Sequence, residues 1–319
     1  MNIKKIGLTA LAGSLVSMSA IAGEMSVAGG ASIAVEHING NAANTGKVFK
    51  MGNQLTFSGG GELDNGLNVS LSFVIDQGDD SAASNGPFDS HSVSVSHDTF
   101  GTLSFLGEGG SSAQVAVDDT ATGDIWDFSS AEAAAPTSSG TNNILVYSNS
   151  SIMDGVTLTA SYVPSGAAAT QFESAVDWAV AYTGVEGLTI GAAMGENNTT
   201  KGAKADVTTY YGSYAYGPIT VAIHQTEYDS ESNTADVDFT AFSVAYTISD
   251  ELSIAYKNAV METPGITSDN DQETSGITAA YTAGGMTISA KIANTDNEGY
   301  STLATADEEI WSLGASFAF

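Results

Sequence analysis

The sequence predicts an all-β chain, a transmembrane antiparallel β-barrel of sixteen strands with one long loop that has a separate job. Three observations predict it. Apolar and polar residues alternate with period two along most of the chain. A turn phrase recurs at a nearly constant interval. The last segment carries one apolar face and ends on an aromatic residue.

The alternation is counted by face. Leu67, Val69, Leu71, Phe73 and Ile75 share one side, and Asn68, Ser70, Ser72 and Asp76 share the other. Val156, Leu158, Ala160 and Tyr162 alternate with Thr157, Thr159 and Ser161. Val176, Trp178, Val180 and Tyr182 alternate with Ala175, Asp177 and Ala179. Met286, Ile288, Ala290 and Ile292 alternate with Thr287, Ser289 and Lys291. Period two over such lengths means strands with one apolar and one polar face.

The phrase is a turn residue or two, an apolar residue, a small polar one and another apolar one. Its first apolar positions are Leu67, Leu103, Val156, Leu188, Ile219, Leu252 and Met286. By subtraction their spacings are 36, 53, 32, 31, 33 and 34. A period in this range marks a repeated supersecondary unit, here a hairpin. The one long interval contains the stretch 107–141.

In order, strands are predicted near 24–36, 52–63, 67–76, 89–98, 101–107, 142–149, 155–164, 174–183, 187–195, 205–216, 218–228, 236–248, 251–262, 273–282, 285–295 and 307–319. Short turns join every second pair, and longer loops rich in Gly, Asp, Asn and Ser join the others. An even strand count with short turns at one end and long loops at the other describes an outer-membrane barrel. With this many strands the interior is too wide for side chains to fill and becomes an aqueous channel. A soluble β-sandwich also alternates, but its apolar faces pack on each other. Here Tyr210, Tyr214 and Tyr216 share one face and Phe242 and Tyr246 another, toward strand ends, which suits an aromatic girdle at a lipid boundary.

The N-terminus reads as a signal peptide over residues 1–22. Lys4 and Lys5 precede an apolar run, and Ala20-Ile21-Ala22 is an A-x-A cleavage site. The mature barrel is then 23–319. The chain has no Cys, so no disulfide or thiolate metal site forms. Net charge is −29 with no Arg; losing Lys4 and Lys5 takes it from −29 to −31. Nucleic-acid binding needs clustered Lys or Arg, and this composition is the opposite. Such a field favours cations near an opening.

Trp311, Leu313, Ala315, Phe317 and the terminal Phe319 fall on one face of the last strand. In a soluble protein that strand is an exposed apolar edge; in a closed barrel it pairs with the first strand and faces lipid. With the strand count, the phrase Asp154-Gly155-Val156-Thr157-Leu158-Thr159-Ala160-Ser161-Tyr162 and the long loop after strand five, the chain resembles the Gram-negative trimeric porins, of the Rhodobacter-like and general diffusion type. The resemblance covers the whole mature chain. It implies a homotrimer in the outer membrane, contact with lipid and lipopolysaccharide, and assembly through the barrel-assembly machinery by way of Phe319. It also implies that the third long loop, here 107–141, folds inward as a constriction. The loop 77–88 is then the candidate latch onto a neighbouring subunit. The segment Asn143-Ile144-Leu145-Val146-Tyr147 looks like one that usually carries an Arg on the pore wall; Val146 stands there instead.

The candidate constriction residues are Glu108, Asp118, Asp119, Asp124, Asp127 and Glu132, with no base among them. A solvated acidic loop is the competing reading. Trp126 and Phe128 are candidate anchors of that loop. Parity puts Lys257 and Lys291 on the lumen side with Lys50 at the rim; a midplane Lys in lipid costs roughly 2–4 kcal/mol. Asp118, Asp119, Asp124 and Asp127 are also a candidate oxygen-ligand set for Ca²⁺, although the spacing fits no EF-hand. Asp79-Asp80 and the stretch from Asp269 to Glu273 read as solvated tips able to bridge divalent ions to lipopolysaccharide. No G-x-S-x-G, H-E-x-x-H or P-loop pattern supports an enzyme. His224 reads as a lining residue, and His91 and His97 as interfacial ones. The functional expectation is passive diffusion of small hydrophilic solutes and ions with a preference for cations. The alternatives are a substrate-selective channel for sugars or cationic nutrients, and an outer-membrane barrel enzyme.

Overall fold

The structure is a computed structural model describing residues 24–40, 46–76, 88–117, 121, 133–139, 142–165, 173–200, 203–231, 236–264, 270–303 and 306–319. Its strands are β1 (Glu24–Asn39), β2 (Gly46–Glu62), β3 (Asn68–Asp76), β4 (Phe88–His97), β5 (Gly101–Glu108), β6 (Ile144–Met153), β7 (Val156–Val163) and β8 (Ala175–Tyr182). They continue as β9 (Leu188–Thr200), β10 (Ala203–Tyr216), β11 (Ile219–Ser230), β12 (Val237–Thr247), β13 (Leu252–Glu262), β14 (Gln272–Ala283), β15 (Met286–Asp296) and β16 (Glu308–Ala318). Each strand pairs antiparallel with its sequence neighbours, and β16 closes on β1. Closure gives every strand two partners, so no row of backbone N–H and C=O groups is left to face lipid.

Side chains sort as the period-two pattern requires. Ile33, Met51, Trp178, Met194, Ile223, Ile277, Ile292 and Leu313 are exposed on the outer face. Serines, threonines and alanines line the inner face, where cross-strand hydroxyls meet: Ser94 and Ser104 at 2.7 Å, Thr209 and Thr226 at 2.8 Å, and Thr274 and Thr295 at 2.9 Å. A wall that must face water without side chains filling the barrel is thereby polar but nearly uncharged. Among the described residues no helix is long and apolar enough to cross a membrane; the strands cross it.

The seam is built from the last residue. Phe319 and Gly29 exchange both backbone hydrogen bonds, at 2.7 and 2.9 Å. A Cβ on Gly29 would overlap the Phe319 ring, which therefore lies over the glycine. The short turns use glycine at positive φ where backbones crowd. Gly187 has φ 75°, and a Cβ there would overlap the Ala215 carbonyl.

The strand order and number agree with the sequence reading, and boundaries differ mainly at loop ends. β2 begins at Gly46 rather than 52, because Lys47, Phe49 and Met51 continue its alternation and pair along β1 up to Ile38. β9 runs on to Thr200, and β6 extends past an irregularity between Asn149 and Met153. The segments 1–22, 77–87, 118–120 and 122–132 lie outside the described residues.

Candidate functional site: the lumen wall and its loop

Only a few charges interrupt the inner wall. Lys50 on β2 lies opposite Ala34 on β1, four residues inside the strand start. Its Nζ is 2.5 Å from Glu36 Oε2. Glu36 is buried and Lys50 half exposed, so the pair presents its cationic end to the lumen while the carboxylate cancels most of its far field. Lys257 faces inward on β13, buried between Ser243 and Gly276. Lys291 faces inward on β15 between Thr278 and Ser312. Asp76, opposite Gln54, and Glu308, opposite Thr295, are inward acids. Lys204, on the outer side, is ion-paired with Glu173 at 2.6 Å.

Val146 also faces inward, opposite Ser104 and Ser161. It packs against a buried cluster of Ile144, Val163 and Ala175, so the wall is apolar where the resemblance leads one to look for a base. His224 faces inward, with Nε2 2.9 Å from the Thr226 hydroxyl and its ring edge-on to Phe239. The Thr226 hydroxyl is fully buried and also bonded to Thr209 Oγ1 at 2.8 Å, so it lines the wall as part of a hydroxyl pair. His97 Nδ1 accepts the Thr99 N–H at 3.1 Å, and its ring lies against Phe100 at the short-turn end.

The long loop leaves the wall after β5. Its neck is drawn together where Asn143 N–H donates to the Gly107 carbonyl at 2.9 Å and Gly109 N–H donates to Asn142 Oδ1 at 3.1 Å. Glu108 is the last residue of β5 and exposed. It belongs to the strand and the neck, not to the loop in which the sequence reading put it. The outgoing leg then runs along the inner wall. Ala113 N–H donates to Ser161 Oγ on β7 at 2.9 Å, and Gln114 Nε2 donates to Thr209 Oγ1 on β10 at 3.1 Å. A single 3-10 turn, Val115–Val117, follows, with Val115 N–H donating to Ser112 Oγ.

The returning leg lies against the same side of the barrel. Ala133 N–H donates to Thr274 Oγ1 on β14 at 2.9 Å. Ala121 and Ala133 join a buried cluster with Ala222, Phe239, Ala241 and Ala259 of β11, β12 and β13. Small residues on that wall let loop backbone approach closely. Asn197 Nδ2 donates to the Thr137 carbonyl at 2.8 Å, and Ser139 N–H to the Glu196 carbonyl at 3.0 Å.

The two legs meet at Asp177 of β8, which is 1% exposed. Ser138 Oγ donates to its Oδ2 at 2.5 Å, Glu196 N–H to its Oδ1 at 3.4 Å, and the Ser112 hydroxyl also faces it. Ser112 and Ser138 hydroxyls are 3.0 Å apart, and Ser138 N–H donates to Gln114 Oε1 at 2.7 Å. Sequence reasoning counted Asp177 as one polar residue among several. An acidic residue on a polar strand face, between alanines, was the available signal. Its partners, Ser112, Gln114 and Ser138, carry no signal of their own.

Asp118, Asp119, Asp124, Asp127 and Glu132, with Trp126 and Phe128, lie outside the described residues. The anchors visible on the described legs are hydroxyl, amide and carboxylate groups. Lys257 is two residues from Ala259, which shares a buried cluster with the loop residues Ala121 and Ala133, so it lies on the part of the wall that the loop packs against. Lys50 and Glu36 lie on β2 and β1, whereas the hydrogen bonds of the described legs run to β7, β8, β9, β10 and β14. Among the described residues no group of three or more His, Asp or Glu side chains is placed to hold a metal ion.

A family model described as Gram-negative porin matches residues 7–300. No curated protein matches the chain in sequence. Among solved structures, an anion-selective porin from Comamonas acidovorans is 17% identical with a TM-score of 0.71, covering 93% of this chain and 100% of that one. Salmonella typhi OmpF, in complex with daunomycin, is 12% identical with a TM-score of 0.72, covering 95% and 100%. A mutant Rh. blastica porin is 15% identical with a TM-score of 0.69, covering 92% and 100%. Identities this low speak to the fold and to nothing finer.

Proposed function

The chain belongs to the Gram-negative porin family and forms a diffusion channel in the bacterial outer membrane; from that premise we propose that the channel is passive, carries small hydrophilic solutes, and prefers cations. The loop 107–141 is its constriction. One observation carries the ion preference: the Lys50 charge on the free side of the wall is already matched by Glu36 at 2.5 Å, whereas the loop sequence contributes Asp118, Asp119, Asp124, Asp127 and Glu132 with no base. Val146 adds an apolar surface where a basic group would oppose them. In a narrow aqueous passage between low-dielectric walls, such an imbalance raises the local cation concentration.

The testing measurement is a reversal potential across a planar bilayer under a KCl gradient. Potassium preference at low salt is the expected result, weakening as the Debye length falls from about 10 Å at 0.1 M to about 3 Å at 1 M. Chloride preference refutes the proposal. Liposome swelling with neutral and charged solutes separates passive diffusion from a substrate-selective channel, since only the latter saturates with one solute class.

We further propose a homotrimer, export by the leader 1–22, recognition of the terminal Phe319 by the assembly machinery, and lipopolysaccharide as a lipid neighbour. The family supports these readings. Mass measurement in mild detergent tests the first, and a returned monomer counts against it.

A further inference from the structure

We propose that Asp177 is a positioning residue, a buried clasp that ties both legs of the long loop to the lumen wall and thereby sets the width and steadiness of the passage. The inference rests on reading 107–141 as the constriction.

Residues 112 and 138 are far apart in sequence, yet their hydroxyls lie 3.0 Å apart beside one carboxylate. Ser138 Oγ donates to that carboxylate at 2.5 Å. Ser138 has one hydroxyl hydrogen and gives it to Asp177, and the Ser112 hydroxyl lies within reach of both Ser138 and the carboxylate. Gln114 locks the arrangement from the other side, accepting Ser138 N–H at 2.7 Å and donating to Thr209 at 3.1 Å. The loop ends are thus fixed to each other, to β8 and to β10.

The seat is shaped for the carboxylate. Gly195 on β9 lies inward beside Asp177, and a Cβ there would overlap Oδ1 and Cγ. Any larger residue at 195 turns the carboxylate away from Ser138. A buried carboxylate is retained only when hydrogen-bond donors surround it, and here most of those donors come from the loop. Removing the carboxylate leaves the wall pairing of β8 intact and frees the loop.

The test compares the parent with Asp177→Ala, Asp177→Asn and Gly195→Ala in single-channel recordings. Asp177→Ala raises the frequency of brief closures roughly tenfold, the change that loss of one charge-assisted hydrogen bond brings. Gly195→Ala does the same by way of the carboxylate, since the atoms nearest its Cβ are those of Asp177. Asp177→Asn falls between, since its amide oxygen still accepts from Ser138. Heat-dependent gel mobility of the barrel stays at the parental value in Gly195→Ala and Asp177→Asn. Hydrogen exchange reads the clasp without any current: the Ala113 and Ser138 amides exchange roughly tenfold faster in Asp177→Ala and Gly195→Ala. Parental exchange at both amides in both variants overturns the proposal. So does a rise in closures that tracks loss of barrel stability. Faster exchange in a protein that passes no ions supports the clasp and refutes the channel reading instead.

Discussion

Replacing Glu36 by Gln shifts the selectivity by a computable amount. The substitution keeps the shape of the side chain and removes one negative charge from the inner wall. Lys50 stays, 2.5 Å from where that charge was, and the wall becomes one unit more positive. At a distance of ~10 Å in water, one charge acts on a monovalent ion with about 0.4 kcal/mol. It opposes a cation and attracts an anion, so the difference between the two is about 0.8 kcal/mol before screening. At 0.01 M salt, with a Debye length of about 30 Å, roughly 0.6 kcal/mol survives, about a threefold fall in the cation-to-anion permeability ratio. At 1 M, with a Debye length of about 3 Å, almost nothing survives. Reversal potentials at the two salt concentrations measure this directly. The double variant Glu36→Gln with Lys50→Gln restores the parental charge and with it the parental ratio. A Glu36→Gln ratio equal to the parent at 0.01 M refutes the reasoning, because it means the β1–β2 wall lies outside the field that permeating ions feel.

Three further outcomes follow from the same wall. Val146→Arg puts a base on the inner face and lowers cation preference in the reversal potential by a factor of about two to four at low salt; an unchanged ratio means the loop covers this position from the ion path. Asp118→Asn with Asp119→Asn reduces cation preference more than Asp79→Asn with Asp80→Asn, and equal effects refute the loop as the selectivity element. Gly187→Ala, at φ 75° with the Ala215 carbonyl in the way, costs about 2 kcal/mol or more of barrel stability, read by urea titration of the protein in lipid vesicles; parental stability shows that the β8–β9 turn relaxes without strain.

The scaffold was legible because a membrane barrel writes its geometry into every second residue. Leu158 and Trp178 had to face lipid, and Thr159 and Asp177 had to face the interior of the barrel, where Asp177 is then covered by the loop. Parity alone assigns Lys257 and Lys291 to the inner face. Boundaries near Gly46 and Thr200 were less legible, since polar residues beyond the bilayer obey no such rule while backbone pairing continues. The loop was legible only as an interruption. Its contacts join Ser112 to Ser138, Ala113 to Ser161 and Ala133 to Thr274, pairs with no shared period. A hydroxyl that receives a loop looks, in sequence, the same as a hydroxyl that meets its cross-strand neighbour.

The same contrast explains why fold and selectivity part company. The barrel that holds Thr209 against Thr226 and Thr274 against Thr295 solves its wall with neutral hydroxyl pairs. A wall of this kind leaves the field in the passage to a handful of charges, and each is one substitution from its opposite. A structure described as an anion-selective porin therefore shares this fold at a TM-score of 0.71 with only 17% of its residues identical. Strand number, register and closure are enforced by lipid on both sides of the seam and tolerate little change. The charge at Lys50, the absence of one at Val146 and the carboxylate at Glu36 are enforced by neither packing nor lipid. What the fold does fix is where such charges act: under the constriction proposed for 107–141, a loop clasped at Asp177 brings a passage too wide for any single residue within reach of a few.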